Sequence, residues 1–280
     1  MNSKINPKMK PQMSPKEDIE IGIHAMIELR RLLPDGGLKN REAVLQEMDE
    51  MISPEFEPYF LGNAALHLLA KCERCGRCCR DENTIAVSID DCRRIARHLG
   101  LSQKMFMREY TRPHELKAEV VGLARMLKKN AGEACPFYSA DLPGCIIHMV
   151  KPQVCTAAYY LSKMNLLLCE ERQEIAAIPG CPADAKLRAK IEEFSRLLEA
   201  DPQAQMDLEK LFSSDRPEVE SLLLFLRLKG MEIYFGKDMG RMLARKLGLL
   251  RMPEDDEMRA AAWIYVAKYS KLLAANQAIE

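Results

Sequence analysis

Four cysteines stand within eight residues, as Cys72, Cys75, Cys78 and Cys79. A thiolate at every third residue lets one loop aim several sulfurs at a single ion or cluster. Further cysteines follow downstream, so the supply of sulfur exceeds one four-coordinate site. The cysteines that the sequence predicts as metal ligands are Cys72, Cys75, Cys78, Cys79, Cys135, Cys145, Cys155 and Cys181.

The spacing is compatible with an iron–sulfur cluster and with zinc. Ferredoxin-type clusters use Cys-x-x-Cys-x-x-Cys with a more distant cysteine that commonly precedes proline. The usual fourth cysteine of that pattern is absent, although Cys135 and Cys181 both precede proline. Zinc sites typically add a second Cys-x-x-Cys pair, and the sequence has no clean second pair. Side chains of adjacent residues diverge along an extended chain, so one of Cys78 and Cys79 is expected to serve a second metal or to stay free.

The remaining cysteines and the histidines are given structural roles. Cys92 and Cys169 are interpreted as small buried apolar residues. Cys145 and His148 leave a nucleophilic pair open, although catalytic partners usually lie far apart in a chain. No catalytic residue is assigned, and whether the protein is an enzyme stays open. The histidines interpreted as core or surface residues are His24, His67, His98 and His114.

Basic residues follow the same rhythm as the first cysteines, at Lys71, Arg74, Arg77 and Arg80. Cations beside thiolates lower the pKa of the thiol and offset the negative charge of a thiolate centre. They would also raise the reduction potential of a cluster. The alternative is that these four residues form only a solvated basic face.

Composition narrows the partners and the compartment. Forty-one basic residues balance forty-one acidic ones, so no overall field directs the protein to nucleic acid or anionic lipid. No apolar stretch has the length of a membrane span. The first residues lack the apolar region of a signal peptide, so a secreted protein with a disulfide framework is not expected. We expect a cytoplasmic protein that binds neither nucleic acid nor membrane and has a protein partner.

The chain divides into four parts by its pattern. Residues 1–16 read as a disordered basic tail, 17–70 as a helical segment, 71–182 as the cysteine-rich metal-binding core, and 183–280 as a second helical region. The fold class is mostly α, with an irregular core that contains little sheet.

Local signals place the elements. Ser88 and Asp91 form a capping box, Asn40 is a second candidate cap, and Gly230 is among the glycines expected to interrupt helices. Strands are expected over 84–87 and 119–127, the latter paired with 145–148. Helices are predicted over 18–33, 40–52, 59–70, 88–99, 102–110 and 254–278, with further helices from 183, 202 and 217. The last helix carries an apolar stripe that is expected to pack within the chain.

Taken together, the motifs resemble the CxxCxxCC family of zinc- or iron-chelating proteins. The resemblance covers about residues 72–182 and rests on the opening cysteine cluster, Cys135-Pro136-Phe137, Cys145-Ile146-Ile147-His148 and Lys151-Pro152 before Cys155. His148, Lys151 and Thr156 depart from the Tyr, Arg and Arg of the family pattern. A similar cysteine-cluster domain occurs in flagellin lysine N-methylases, where an iron–sulfur cluster is implied. By this resemblance we expect an iron–sulfur cluster of the [4Fe–4S] type as the cofactor, with zinc as the alternative.

These observations predict a cytosolic iron–sulfur protein that passes electrons or supports the modification of a protein partner. A zinc-stapled interaction module and a metal-dependent protein lysine methylase are the alternatives.

Overall fold

The computed structural model describes residues 15–52, 57–81, 85–113, 125–129, 133–141, 144–155, 180–213 and 215–275. About 68% of these residues are helical and about 6% lie in strands, which confirms the predicted fold class. No helix in the described ranges is long and apolar enough to cross a membrane.

Three helices precede the cysteine core, α1 (Pro15–Arg30), α2 (Arg41–Met51) and α3 (Glu57–Leu69). Helix α1 takes in the last two residues of the predicted tail, and residues 1–14 lie outside the described part. Asn40 stands at the start of α2, but the prediction of a side-chain cap is wrong. Its backbone is left-handed, with φ of 49°, and its side chain makes no capping hydrogen bond. The Asn40 amide instead lies 3.5 Å from the carbonyl oxygen of Lys246.

Short elements make up the core, as predicted. The capping box at Ser88 and Asp91 is present, and Ser102 caps the next helix through its side chain. The elements are α4 (Arg77–Asp81), β1 (Ala86–Val87), α5 (Ile89–His98), α6 (Gln103–Tyr110), β2 (Thr111–Pro113), β3 (Arg125–Leu127), β4 (Tyr138–Ser139), β5 (Gly144–Cys145) and the 3-10 turns His148–Val150 and Gln153–Cys155.

Strand pairing differs from the prediction in one place. Strand β3 lies between β1 and β2, antiparallel to both. The pairing of 145–148 with 119–127 is wrong, since β5 pairs with β4 and His148 opens a 3-10 turn. The short stretch between Ser139 and Gly144 favours a local hairpin over a distant partner. Residue 84 of the first expected strand and residues 119–124 of the second lie outside the described part.

Five helices follow the core and include the three whose starts were predicted. Pro182 and Pro217 occupy first-turn positions, where the missing N–H costs nothing. Gly236 and Gly248 end helices, but Gly230 lies inside one, so its expected role as a helix break is wrong. The helices are α7 (Pro182–Ala200), α8 (Pro202–Ser213), α9 (Pro217–Phe235), α10 (Lys237–Lys246) and α11 (Asp255–Ala275).

The two helical regions, separate in sequence, pack on each other. Helix α11 contacts α1, α3 and α7, and α9 contacts α1, α3 and α10. The apolar stripe of α11 is buried where it is described: Trp263 stacks on Phe194 with 5.3 Å between ring centroids, and Val266 is buried. The described part of the stripe therefore packs within the chain, as expected. This bundle is the scaffold on which the cysteine core sits.

At Gly230, helix α9 passes closely over α3. A Cβ at this position would lie 2.4 Å from Cε1 of Phe60, whose buried ring stacks on Tyr234. The absence of a side chain at Gly230 is therefore what lets the two helices approach.

We predict that Gly230→Ala lowers the free energy of unfolding by about 1–3 kcal/mol, because the Phe60 ring must shift in a packed core. Gly62→Ala in α3 is the matched control, since a Cβ there meets nothing within 4 Å. It should raise stability by up to about 1 kcal/mol through helix propensity. Chemical denaturation of both variants checks this, and a stabilised Gly230→Ala protein would contradict the packing.

His67 in α3 is buried, with Nδ1 lacking a hydrogen-bond partner. Burial, and then the nearby positive charge of Lys229, lower its pKa from 6.5 to about 3. Lys229 itself is held by Glu232 at 3.1 Å and Asp255 at 2.5 Å. His67 is thus a neutral core residue of the bundle, as the sequence indicated.

This burial predicts a pH dependence of stability. Between pH 6.5 and 3 the unfolded chain protonates His67 and the folded protein does not, so stability falls as the pH drops below 6.5. The contribution approaches about 1.4 kcal/mol per pH unit. His67→Leu should flatten the slope measured by denaturation between about pH 6.5 and 5, whereas His98→Leu, at an exposed position, should leave it unchanged. Equal slopes in all three proteins would refute this.

Candidate metal centre

The first cysteines lie on a tight loop that leads into a short helix. Arg74 is left-handed, with φ of 59°, and its backbone N–H lies 3.4 Å from the Cys72 sulfur. Gly144, with φ of 82°, packs against this loop, and a Cβ there would come within 2.7 Å of the Arg74 carbonyl oxygen. The Arg74 guanidinium reaches the carbonyl oxygen of Cys145 at 3.3 Å. These contacts place Cys145 beside Cys72.

Cys78 and Cys79 are helical residues of α4. The expectation that they diverge along an extended chain is wrong, because the chain turns into a helix directly after Gly76. Successive helical side chains differ by about 100°, and both cysteines border the same cavities described below. Lys129 donates to the carbonyl oxygen of Arg80 at 3.1 Å and so holds the end of this helix.

The hairpin of β4 and β5 brings two more cysteines to α4. The Cys135 N–H donates to the Cys79 carbonyl oxygen at 2.7 Å, and the Ile146 N–H donates to the Phe137 carbonyl oxygen at 2.9 Å. Phe137 is buried and stacks on Phe106 and Tyr110. The hairpin is therefore anchored in the core by one aromatic ring while its cysteines face α4.

A buried carboxylate fixes the segment that carries Cys155. Asp91 accepts hydrogen bonds from Arg94 at 2.6 Å and from the Gln153 N–H at 3.1 Å. The same Arg94 nitrogen donates to the Lys151 carbonyl oxygen at 2.8 Å. Asp91, which belongs to the capping box of α5, thus also holds the loop before Cys155 in place.

Cys181 approaches from the other side, at the start of α7. Its thiol shares a hydrogen bond with the Cys75 thiol. The neighbouring Gly180 lies against the Arg77 guanidinium, since a Cβ on Gly180 would stand 3.2 Å from Nε of Arg77. The helix start is the positive end of a helix dipole, which favours an ionised sulfur.

All eight predicted ligands border two adjoining cavities. The larger has a volume of about 50 Å³. Cys135 borders only this cavity, whereas Cys75 and Cys181 border only the smaller one. The wall that the two cavities share consists of Cys72, Cys78, Cys79, Cys145, His148 and Cys155.

The donor set fits a thiophilic metal, although the ligands do not converge on one point. Within the described ranges, no three Cys, His, Asp or Glu side chains have the spacing of a ligand shell. A thiol moves to a new direction by rotation about χ1, and metal binding by thiolates is coupled to ordering of the site. The sulfurs around the shared cavity match the chemistry of zinc or iron. The buried Nε2 of His148, which has no hydrogen-bond partner among the described residues, is a further donor of the kind that these metals bind.

Burial holds these thiols in the protonated form. It raises the pKa of Cys135 and Cys181 to about 11 and that of Cys155 well above its usual range. Neighbouring sulfurs, Cys78 and Cys135 among them, add to the shift in the pKa of Cys155. A bound cation would reverse this balance, since metal ligation deprotonates thiols.

Backbone donors already favour ionised sulfur. The Phe137 N–H opposes the effect of burial on the pKa of Cys135, and the Ile147 N–H opposes it at Cys145, each by hydrogen bonding. In each pair the donor stands two residues after the cysteine. Hydrogen bonds of this kind stabilise thiolates and tune the potential of iron–sulfur centres.

The three arginines of the basic series do not share one role. Arg74 holds the hairpin, and its charge opposes the effect of burial on the pKa of Cys145. Arg77 lies against Gly180, and Arg80 stands 5.8 Å above the Tyr138 ring. The spacing of three thus reflects contacts to different neighbours.

His148 was not predicted as a site residue, although its distance of three residues from Cys145 repeats the cysteine spacing. Burial lowers its pKa, as do the charges of Lys151 and Arg74. Cys92 is buried on α5, outside both cavity walls, as its structural interpretation requires. Cys169 lies outside the described residues. No disulfide links the described cysteines.

The family comparison agrees with this geometry. The model of the CxxCxxCC family, described as a "putative zinc- or iron-chelating domain", matches residues 71–182. Neither a curated protein nor a solved structure matches the chain. The match covers residues 71–182 only, and over this segment it confirms the resemblance. The match supports metal binding by this segment, and its description covers zinc and iron.

The clamp at Asp91 predicts a local effect on the site. Asp91→Ala leaves the Gln153 and Ser88 N–H groups without their acceptor and should lower the free energy of unfolding by about 1–3 kcal/mol. Amide exchange at residues 151–155 should accelerate. Asp90→Ala is the control, because Asp90 makes only long contacts of 3.5 Å to Arg93 and Arg94. Unchanged exchange at 151–155 in Asp91→Ala would contradict the clamp.

Proposed function

We propose that residues 71–182 hold an iron–sulfur cluster, of the [4Fe–4S] type, and that the protein passes electrons or supports the modification of a protein partner. The observation that carries this proposal is the shared cavity wall of five cysteines and one histidine. A polynuclear centre needs room as well as ligands, and the sulfurs here surround a space. One tetrahedral zinc ion needs only four ligands and no cavity.

Residues of the chain have defined parts in this proposal. Cys72, Cys75 and Cys78 ligate the centre, and a distant cysteine, Cys135, Cys145 or Cys155, completes it. When bound, the cluster supplies one-electron transfer. The apolar walls of the larger cavity, which include Ile85, Leu127, Phe137 and Val154, limit access of water to the sulfurs.

Zinc is the second candidate, and one observation favours it. Eight cysteines suffice for two tetrahedral sites, and the Cys75–Cys181 pair lies apart from Cys135, at the far end of the shared wall. Two zinc ions would then link α7 and the hairpin to α4 through their ligands. The lysine methylase alternative rests only on the resemblance to flagellin lysine N-methylases, and we do not propose it.

A protein partner is supported by apolar side chains next to the centre. Met149 is 87% exposed and Ile146 is 48% exposed, and both stand close to His148 in the chain. Large exposed apolar residues beside a site are typical of docking surfaces. We propose that the partner approaches the centre on this side.

Protein purified without oxygen distinguishes the two candidates. A cluster gives a brown protein that contains iron and sulfide. Its absorbance at about 400 nm decreases on reduction. A colourless protein with two bound zinc ions would replace the first candidate by the second. A protein that binds neither metal after loading would refute both.

Substitution of the first three cysteines tests the ligand assignment. Cys72→Ala, Cys75→Ala and Cys78→Ala should each abolish binding at the centre and destabilise the core, because ligand loss also removes folding energy. Metal analysis and thermal unfolding measure the two effects. Cys92→Ala is the control and should keep the metal. Full metal content in all three variants would exclude this ligand set.

Arg74 offers a test of the redox role. If its charge acts on a cluster, Arg74→Gln should lower the reduction potential, because a nearby cation favours the more negative, reduced state. Arg80→Gln is the matched control, since Arg80 packs over Tyr138. Redox titration of both variants at equal iron content measures the effect. Equal potentials in the two variants would assign Arg74 a structural role alone.

A further inference from the structure

Three observations single out His148. The residue borders both cavities, in the same wall as five cysteines. Its Nε2 atom is shielded from solvent and has no hydrogen-bond partner among the described residues. Its chain position, three residues after Cys145, repeats the Cys72–Cys75 and Cys75–Cys78 spacing.

The unpartnered nitrogen calls for an explanation. A buried polar atom without a partner costs about 1–3 kcal/mol, and such atoms in folded proteins usually mark a missing ligand or a functional role. In the neutral imidazole with its proton on Nδ1, Nε2 has a lone pair directed outward in the ring plane. Imidazole nitrogen is, with thiolate sulfur, among the commonest protein donors to transition metals.

The local backbone holds this geometry in place. Ile147 is buried, and the Val150 N–H donates to its carbonyl oxygen at 2.8 Å, which closes the 3-10 turn that His148 opens. The Ile147 N–H meanwhile bonds the Cys145 sulfur. Cys145 and His148 are thus two donors on one rigid turn, arranged like a Cys-x-x-Cys pair.

We propose that His148 is a ligand of the metal centre through Nε2, so that the centre has mixed cysteine and histidine ligation. This inference rests on the proposed metal binding and adds a nitrogen donor to the predicted sulfur set. His148 then takes the fourth position beside Cys72, Cys75 and Cys78, in place of a distant cysteine. The exchange of one sulfur for an imidazole also makes the centre less negative by one charge, because neutral imidazole replaces a thiolate.

Spectroscopy of the metal-loaded full-length protein tests this ligand. With zinc, X-ray absorption at the metal edge separates a nitrogen donor at about 2.0 Å from sulfur at about 2.3 Å. With a cluster, pulsed electron paramagnetic resonance of the reduced protein, labelled with ¹⁵N-histidine, detects the coupled nitrogen. We expect a histidine nitrogen signal in the unaltered protein and in His98→Ala, whose histidine lies on the exposed face of α5.

Two variants complete the experiment. His148→Ala should lose the nitrogen signal and bind metal at least about tenfold more weakly. His148→Cys should lose the nitrogen signal while it retains metal in an all-sulfur environment, which excludes misfolding as the cause. An all-sulfur spectrum in the unaltered protein would overturn the inference and leave the proposed metal binding intact. Failure of the unaltered protein to bind zinc or a cluster would instead overturn the proposed function.

Discussion

The gathering of sulfurs around two shared cavities is the constraint on which the rest of the cysteine core depends. Buried thiols resist ionisation, and each neighbouring sulfur adds repulsion once one of them is charged. A thiophilic cation removes both penalties at once, since it neutralises the charge and supplies the bonds. Under the proposed metal binding, the metal would hold the turns at Arg74, Gly144 and His148 together, in addition to the packing of the buried Phe137 and Ile147.

The helical bundle has a different source of stability. Helices α1, α3, α7, α9 and α11 bury a continuous apolar core, and the close approach at Gly230 shows dense packing. The chain passes between the bundle and the cysteine core at two junctions, from α3 into Cys72 and from Cys181 into α7. Under the proposed metal binding, these junctions would link metal binding to bundle packing.

Periodic and capping signals made most of the helices predictable. Ser88, Ser102, Pro202 and Pro217 each mark a helix start by a local interaction that the sequence carries. The errors came where tertiary contacts decide, at Gly230 under the Phe60 ring and in the pairing of β5. At the site, cysteine spacing identified the sulfurs, but not the helix at Cys78. His148 was not among the predicted residues, because its place in the cavity wall depends on the tertiary fold and its spacing from Cys145 was only a weak signal.

Hydrogen exchange with and without metal tests the central claim most directly, namely that metal orders the cysteine core while the bundle folds by packing. Mass spectrometry of the full-length protein would compare exchange before and after loading with zinc or reconstitution with iron and sulfide. We expect increased protection at 72–79, 135–155 and 181, with little change in α9 and α11. Equal exchange in the cysteine core of both forms, despite bound metal, would contradict this claim.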